Sequence, residues 1–292
     1  MPSTREIRRR IRSVKNITQI TKAMQMVASS KMRRAQERVQ ESRPYADQLR
    51  ELVSRLASAG SEDIGEGAVL MKQRPVRNIG IVLLTPDRGL CGALPSNINR
   101  KAASTALEEQ NKLPQHPGIN YVAVGRKGRD FIVRTQQNLL AEFTNYGDKP
   151  SLTDASAIAQ VAKDAFLRGE ADVVYLVYAK FINTVTQQPI AVQLLPVQPP
   201  ETEGKRETTE YIYEPSASEI FQALLPRYVD VQVYQALLET IASFQSAQMV
   251  AMKNATDSGN ELIQDLTLTY NKARQAAITT QILEVIAGAE AL

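Results

Sequence analysis

The chain holds one cysteine, one histidine and no tryptophan among its 292 residues, and aromatics make up only 5% of it. Cys91 alone cannot form an internal disulfide, so the sequence fits a reducing compartment. A metal site built from His and Cys is excluded, and so is a Ser-His or Cys-His nucleophilic pair that does not use His116. His116 lies in the turn-rich string Leu113-Pro114-Gln115-His116-Pro117-Gly118, an unpromising place for a catalytic base. No run approaches the eighteen uncharged apolar residues of a spanning helix, and the first residues lack a signal-peptide core. The basic excess is also small. The net charge is +4, concentrated in Arg5, Arg8, Arg9, Arg10, Arg12 and Lys15. Such a run can mark nucleic-acid binding or a mitochondrial presequence. Here no aromatic is interleaved with the arginines, and a regular apolar stripe runs through them. A retained helix with a solvated or partner-facing surface is expected.

What the sequence has in abundance is heptads, at both ends. Steps of four and three from Ile7 land on Ile11, Val14, Thr18, Thr21, Gln25, Ala28, Met32, Ala35, Val39, Ser42, Ala46, Leu49, Val53 and Leu56. The same rule from Ile220 gives Leu224, Arg227, Val231, Tyr234, Leu238, Ile241, Gln245, Gln248, Met252, Ala255, Gly259, Leu262, Leu266, Thr269, Ala273, Ala276, Thr280, Leu283 and Ala287. Most of these positions are apolar. A sustained 3.5-residue period keeps one stripe facing a partner helix. The two segments are expected to pair as an antiparallel two-helix coiled coil, roughly 75–105 Å long at 1.5 Å per residue. Ile17, Ile20, Met24 and Val27 add a second stripe on the first helix, which implies enclosure on more than one side.

Between the ends the periodicity changes. Residues 79–84, 120–124, 172–181 and 189–197 read as strands, and 97–110 and 153–168 as helices, the last with Thr153 as its cap and Asp154 in its first turn. Alternating strands and helices predict an α/β layer with a largely parallel sheet. The glycine-bearing turns after residues 84 and 124 match neither Gly-x-x-x-x-Gly-Lys-Ser/Thr nor Gly-x-Gly-x-x-Gly, so no cofactor is expected. The overall expectation is an α+β chain. Helical segments at 1–58 and 216–292 pair as a coiled coil, with an inserted α/β, Rossmann-like domain at 75–197 and a polar connector at 198–215.

Several strings go further than pattern. They are Thr21-Lys-Ala-Met-Gln-Met-Val-Ala-Ser-Ser-Lys-Met32, Asp87-Arg-Gly-Leu-Cys-Gly92, Tyr211-Ile-Tyr-Glu-Pro215, Met249-Val-Ala-Met-Lys-Asn-Ala-Thr-Asp257 and Leu266-Thr-Leu-Thr-Tyr-Asn-Lys-Ala-Arg-Gln-Ala-Ala-Ile278. In this order, over essentially the whole chain, they resemble the γ subunit of F-type ATP synthase. The resemblance implies a non-catalytic central rotor shaft inside a hexamer of α and β subunits, its α/β domain touching ε and the membrane c ring. No cofactor, direct nucleotide binding or nucleic acid is implied, and the place would be peripheral, on the cytoplasmic face of the plasma membrane. Met24, Gln248, Lys253, Gln275 and Thr279 are the implied contacts with the hexamer, and Tyr211 and Glu214 the implied contacts toward the c ring. Two positions depart from the family's pattern: Gln248 where an Arg is common and Gln281 where a Glu is usual. Some photosynthetic relatives carry two cysteines just before the second long helix; the stretch Val197 to Glu210 has none.

Overall fold

The structure, a computed structural model, describes residues 3–59, 66–112, 116–198 and 217–290. Two helices dominate it: α1, Thr4–Ala59, and α5, Ala217–Glu290. Pro44 and Pro226 lie inside them, each deleting one backbone hydrogen bond without ending the helix. The described residues divide into two compact units, and α1 and α5 contribute to both. One unit joins residues 1–29 to 248–292; the other spans Ser30–Ala247. No helix among the described residues is long and apolar enough to cross a membrane.

The Ser30–Ala247 unit is built on a five-stranded sheet. Its elements are β1 (Asn78–Leu84), α2 (Leu94–Lys112), β2 (Gly118–Val124), α3 (Arg126–Arg134), β3 (Asn138–Phe143), α4 (Leu152–Leu167), β4 (Val173–Phe181) and β5 (Gln187–Leu195). The strand order is β3-β2-β1-β4-β5, with β5 alone antiparallel to its neighbour. Both faces are covered, which explains the continuous apolar run of β1. Ile79, Ile81 and Leu83 pack with Leu94, Ile98 and Ala102 of α2 and Ile132 of α3. Val82 and Leu84 point the other way, into a cluster with Ile158, Ala162 and Phe166 of α4, Val53 and Leu56 of α1, and Phe221, Leu225, Val229 and Leu237 of α5. The strand alternation thus seats the sheet between two helical layers.

The expected strands and helices are all present, with shifted ends. Three elements escape the sequence reading: α3, β3 and a short 3-10 helix at Glu66–Met71. The string Gly125-Arg-Lys-Gly-Arg reads as a turn because glycine lowers helix propensity, yet Gly125 is the N-cap of α3 and Gly128 lies within it. Gly128 is tolerated because Thr85 and Leu83 press so close that a side chain would not fit. The cap of α4 also needs correction. Ser151, not Thr153, accepts the Asp154 amide, and Asp154 bonds back to the Ser151 amide in a capping box. Thr153 lies inside the first turn.

Candidate partner-contact surface

In the unit of residues 1–29 and 248–292, α1 and α5 lie antiparallel. Gly259 faces Thr18, Thr21 Oγ1 meets Thr256 Oγ1 at 2.8 Å, and the Arg8 guanidinium donates to the Tyr270 hydroxyl at 2.5 Å and stacks on its ring. Along α1 the inward positions are those of the heptad walk: Ile7, Thr18, Thr21 and Ala28 are buried, and Ile11, Val14 and Gln25 half-buried. A Cβ at Gly259 would stand 2.5 Å from Thr18 Oγ1, so glycine there allows a close approach. The inward threonines do not strand their hydroxyls, because Thr18 and Thr256 also donate to the carbonyls of Val14 and Met252.

Along α5 the walk needs a correction. Met252, Gly259, Leu266 and Ala273 are inward, as expected, but the intervening positions are Thr256, Ile263 and Tyr270. Ala255, Leu262 and Thr269 are exposed. A four-then-three and a three-then-four alternation share every second position. The apolar Ala255 and Leu262 favour the wrong phase. The contacts with Thr21 and Arg8 fix the right one.

Outside this seam much apolar surface is uncovered. Ile17, Ile20, Met26 and Val27 of α1 are more than half exposed. On α5, Ile278, Ile282, Leu283, Val285 and Ile286 are exposed, and so is every described side chain beyond Ala273. The antiparallel register accounts for this. Arg8 already sits opposite Tyr270, and α1 begins at Thr4.

The residues implied as partner contacts fall into two groups. Gln275 and Thr279 are exposed one turn apart on the bare end of α5, with the Thr279 hydroxyl donating to the Gln275 carbonyl at 3.0 Å. Lys253 is exposed beside Lys15 and Lys22 on a groove of about 580 Å³ that Asp257 and Asn260 also line. Met24 and Gln248 are half-buried and lie outside that groove. Tyr211 and Glu214, with nearly all of the 198–215 connector, lie outside the described residues. The sequence reading placed Lys15 only in the basic run and did not pair it with Lys22. Their spacing of seven, matching the heptad, was the available signal.

The Ser30–Ala247 unit holds the place where doubly wound sheets receive ligands, the C-terminal ends of β1 and β4. The chain's own groups bond to one another around a cavity of about 370 Å³ there, lined by Asp87, Arg126, Asn145 and Phe244 among others. Asp87 accepts the backbone amides of Arg126, at the start of α3, and of Asn145, each at 3.0 Å. Thr85 Oγ1 accepts the Gly128 amide at 2.7 Å, and the Tyr146 hydroxyl donates to the Thr85 carbonyl at 2.6 Å. These amides at a helix N-terminus are of the kind that cradles phosphate elsewhere; here a carboxylate and a hydroxyl satisfy them. Gly125 has φ +93°, and a Cβ would fall 1.9 Å from the Thr85 carbonyl oxygen. Helix α5 closes the same edge, with Ser243 donating to the Ala179 carbonyl and Ser246 to that of Thr184. Cys91 is buried in the loop after β1, and burial pushes its thiol up to about 11, so little thiolate forms at neutral pH. No cluster of His, Cys, Asp and Glu fit for a metal is present among the described residues.

The profile of the ATP synthase family matches residues 3–292. The ATP synthase gamma chain of Roseiflexus castenholzii is 51% identical over 292 residues, covering 100% of this chain and 99% of that protein. A chain of the central stalk/c-ring structure of the Tetrahymena thermophila mitochondrial ATP synthase matches at TM-score 0.57 and 25% identity, over 81% of this chain and 99% of that one. A chain of the Euglena gracilis mitochondrial ATP synthase matches in fold at TM-score 0.67 and 19% identity, over 99% and 94%. By the profile, the identity and the full-length coverage together, the chain belongs to the ATP synthase gamma-chain family.

Proposed function

We propose that the chain is the turning shaft of a rotary ATP synthase, without catalytic groups of its own. Its α1 and α5 form an antiparallel coiled coil. Catalysis sits on the β subunits of a surrounding αβ hexamer, and rotation of an asymmetric shaft biases each β site toward a different conformation in turn. A shaft can do this only if its faces bind those conformations with different free energies. One observation carries the reading: the helix pair buries a single narrow seam and leaves Ile17, Ile20 and Val27 on one helix, and Ile278, Ile282, Val285 and Ile286 on the other, in the open. Apolar surface on that scale marks an interaction site, and a helix apolar on two sides fits a sleeve.

Gln275 and Thr279 then meet the hexamer through the bare end of α5, and Lys253 through the lysine-edged groove, with Met24 and Gln248 supporting from half-buried positions. Gln248 and Gln281, neutral where the family tends to carry charge, make that contact less dependent on salt bridges. Tyr211 and Glu214 reach toward the c ring, ε covers part of the α/β domain, and the chain is held peripherally at the cytoplasmic face of the membrane. The test is reconstitution with α and β subunits. Restored steady-state ATPase, with one copy of this chain per three β subunits, is expected. Failure to join the complex would overturn the proposal, as would ATP hydrolysis by the chain alone.

A further inference from the structure

Asp148 bonds to both long helices at once. Its Oδ2 accepts Lys31 Nζ at 2.6 Å and its carbonyl accepts Arg38 Nη1 at 3.0 Å, both from α1. Its Oδ1 accepts Gln245 Nε2 from α5 at 2.9 Å. Lys31 and Arg38 are seven residues apart, so they project from the same face of α1 two turns apart and grip the loop at two heights. The loop itself is tied to the sheet through the Asn145 amide on Asp87 and the Tyr146 hydroxyl on Thr85. A short chain of directional bonds therefore runs from the end of β1, through residues 145–148, to both helices. All of it lies in the Ser30–Ala247 unit.

We propose that Asp148 is a torque clamp, a residue that resists the turning of α1 against the sheet, and against an α5 that Ser243 and Ser246 already fix to it, when the chain works against load. The claim rests on the rotary reading above. The apolar cluster nearby, with Ala35, Val39, Leu238 and Ile241, resists separation of the helices. Apolar contact is non-directional and resists twisting weakly. Hydrogen bonds weaken steeply with angle: α1 slipping by one residue position would break the Lys31 and Arg38 bonds together, and α5 slipping would break the Gln245 bond. The Lys31–Asp148 pair is about one-third exposed on each side, so folding depends on it little. Its value appears under twist. Gln245 is almost fully buried, and its Oε1 has no partner. Only its bond to Asp148 uses the polar end of that side chain, so the amide stands ready for a partner of either polarity.

The assembled complex provides the test, carrying Asp148→Ala, or the charge exchange of Lys31→Asp with Asp148→Lys. In the alanine variant, unloaded ATPase should match the parent, while the thermal midpoint falls modestly because the buried Gln245 amide loses its partner. Rotation against high viscous drag should stall where the parent turns, and ions pumped per ATP should fall. Amide exchange at residues 145–150 should quicken at least about tenfold, the shift expected from losing even one of the two charge-assisted hydrogen bonds to this carboxylate. The charge exchange should restore loaded rotation, with the Gln245 amide rotated so that its oxygen accepts from the introduced lysine. Loaded rotation and exchange unchanged in Asp148→Ala would overturn the clamp. So would a loss of unloaded ATPase as large as the loss of loaded rotation, which marks a merely structural role. A parent complex that does not rotate would overturn the rotary reading, and the clamp with it.

Discussion

The same two helices are held in opposite ways in the two units. Within Ser30–Ala247, α5 is buried almost all round from Val229 to Ser246, between the sheet, α4 and α1. Within the unit of residues 1–29 and 248–292 it buries one residue in three or four as far as Ala273, and none after it. An enclosed helix carries polar groups inward at little cost where they are partnered, and α5 partners several: Asp230 takes Lys163 of α4 at 2.8 Å and Ser156 at 3.0 Å, and Ser243 and Ser246 reach strand and loop carbonyls. The seam in the other unit relies on small residues and a threonine pair. Helix formation is therefore the common part. The neighbours decide whether a position is core, seam or docking surface.

The contrast breaks first at the buried ion pair. In Asp230→Ala the ammonium of Lys163 stays buried without its carboxylate, and chemical unfolding of the isolated chain should show a loss of about 3–5 kcal/mol. Ile282→Ala, on the bare end of α5, should shift the same measurement by less than about 0.5 kcal/mol while weakening assembly with α and β subunits. A comparable stability loss at both positions would mean that the end of α5 is covered in the free chain.

A sharper cut lies between adjacent residues. Ile263→Asp places a carboxylate in the seam and should cost on the order of 2 kcal/mol. Leu262→Asp, one position away and 40% exposed, should remain within about 0.5 kcal/mol of the parent. The reverse order in thermal melts would reinstate the other heptad phase. Next in size is the threonine pair. Thr256→Ala should cost about 1 kcal/mol by removing the partner of Thr21. Thr267→Ala, whose exposed hydroxyl bonds only to the Ile263 carbonyl, is the matched control and should change almost nothing.

The smallest effect is a pH slope. Desolvation raises the carboxyl of Glu239 above its ordinary 4.5, against the pull of Lys180 and Arg43, and its Oε2 has no partner. The native state thus holds this proton more tightly than the unfolded chain. The resulting penalty is absent below about pH 4.5 and grows as pH rises toward the folded value. Glu239→Gln should gain midpoint temperature at neutral pH and none at pH 4. A gain of equal size at both would mean that the effect is packing.

Much was legible in the sequence because it is written in local repeats. The α1 seam from Ile7 to Leu56, the apolar strands and the alternation that makes a parallel sheet all follow from periodicity, which needs no partner to be read. The family strings marked Met24, Lys253, Gln275 and Thr279, and the structure shows Lys253 and the Gln275–Thr279 pair on open surface. Other features belong to two distant segments at once. Whether Leu262 or Ile263 faces α1 depends on Thr21 and Arg8. Gly128 joins a helix because Thr85 lies against it. Asp87 completes a helix N-terminus thirty-nine residues away, and Asp148 is an ordinary loop aspartate until Lys31, Arg38 and Gln245 converge on it. Local sequence determines which segments are helix or strand and which face is apolar. Only the tertiary structure decides which of two equivalent phases is buried and which polar groups find partners, because those choices are settled by contact energies between residues that the sequence keeps far apart.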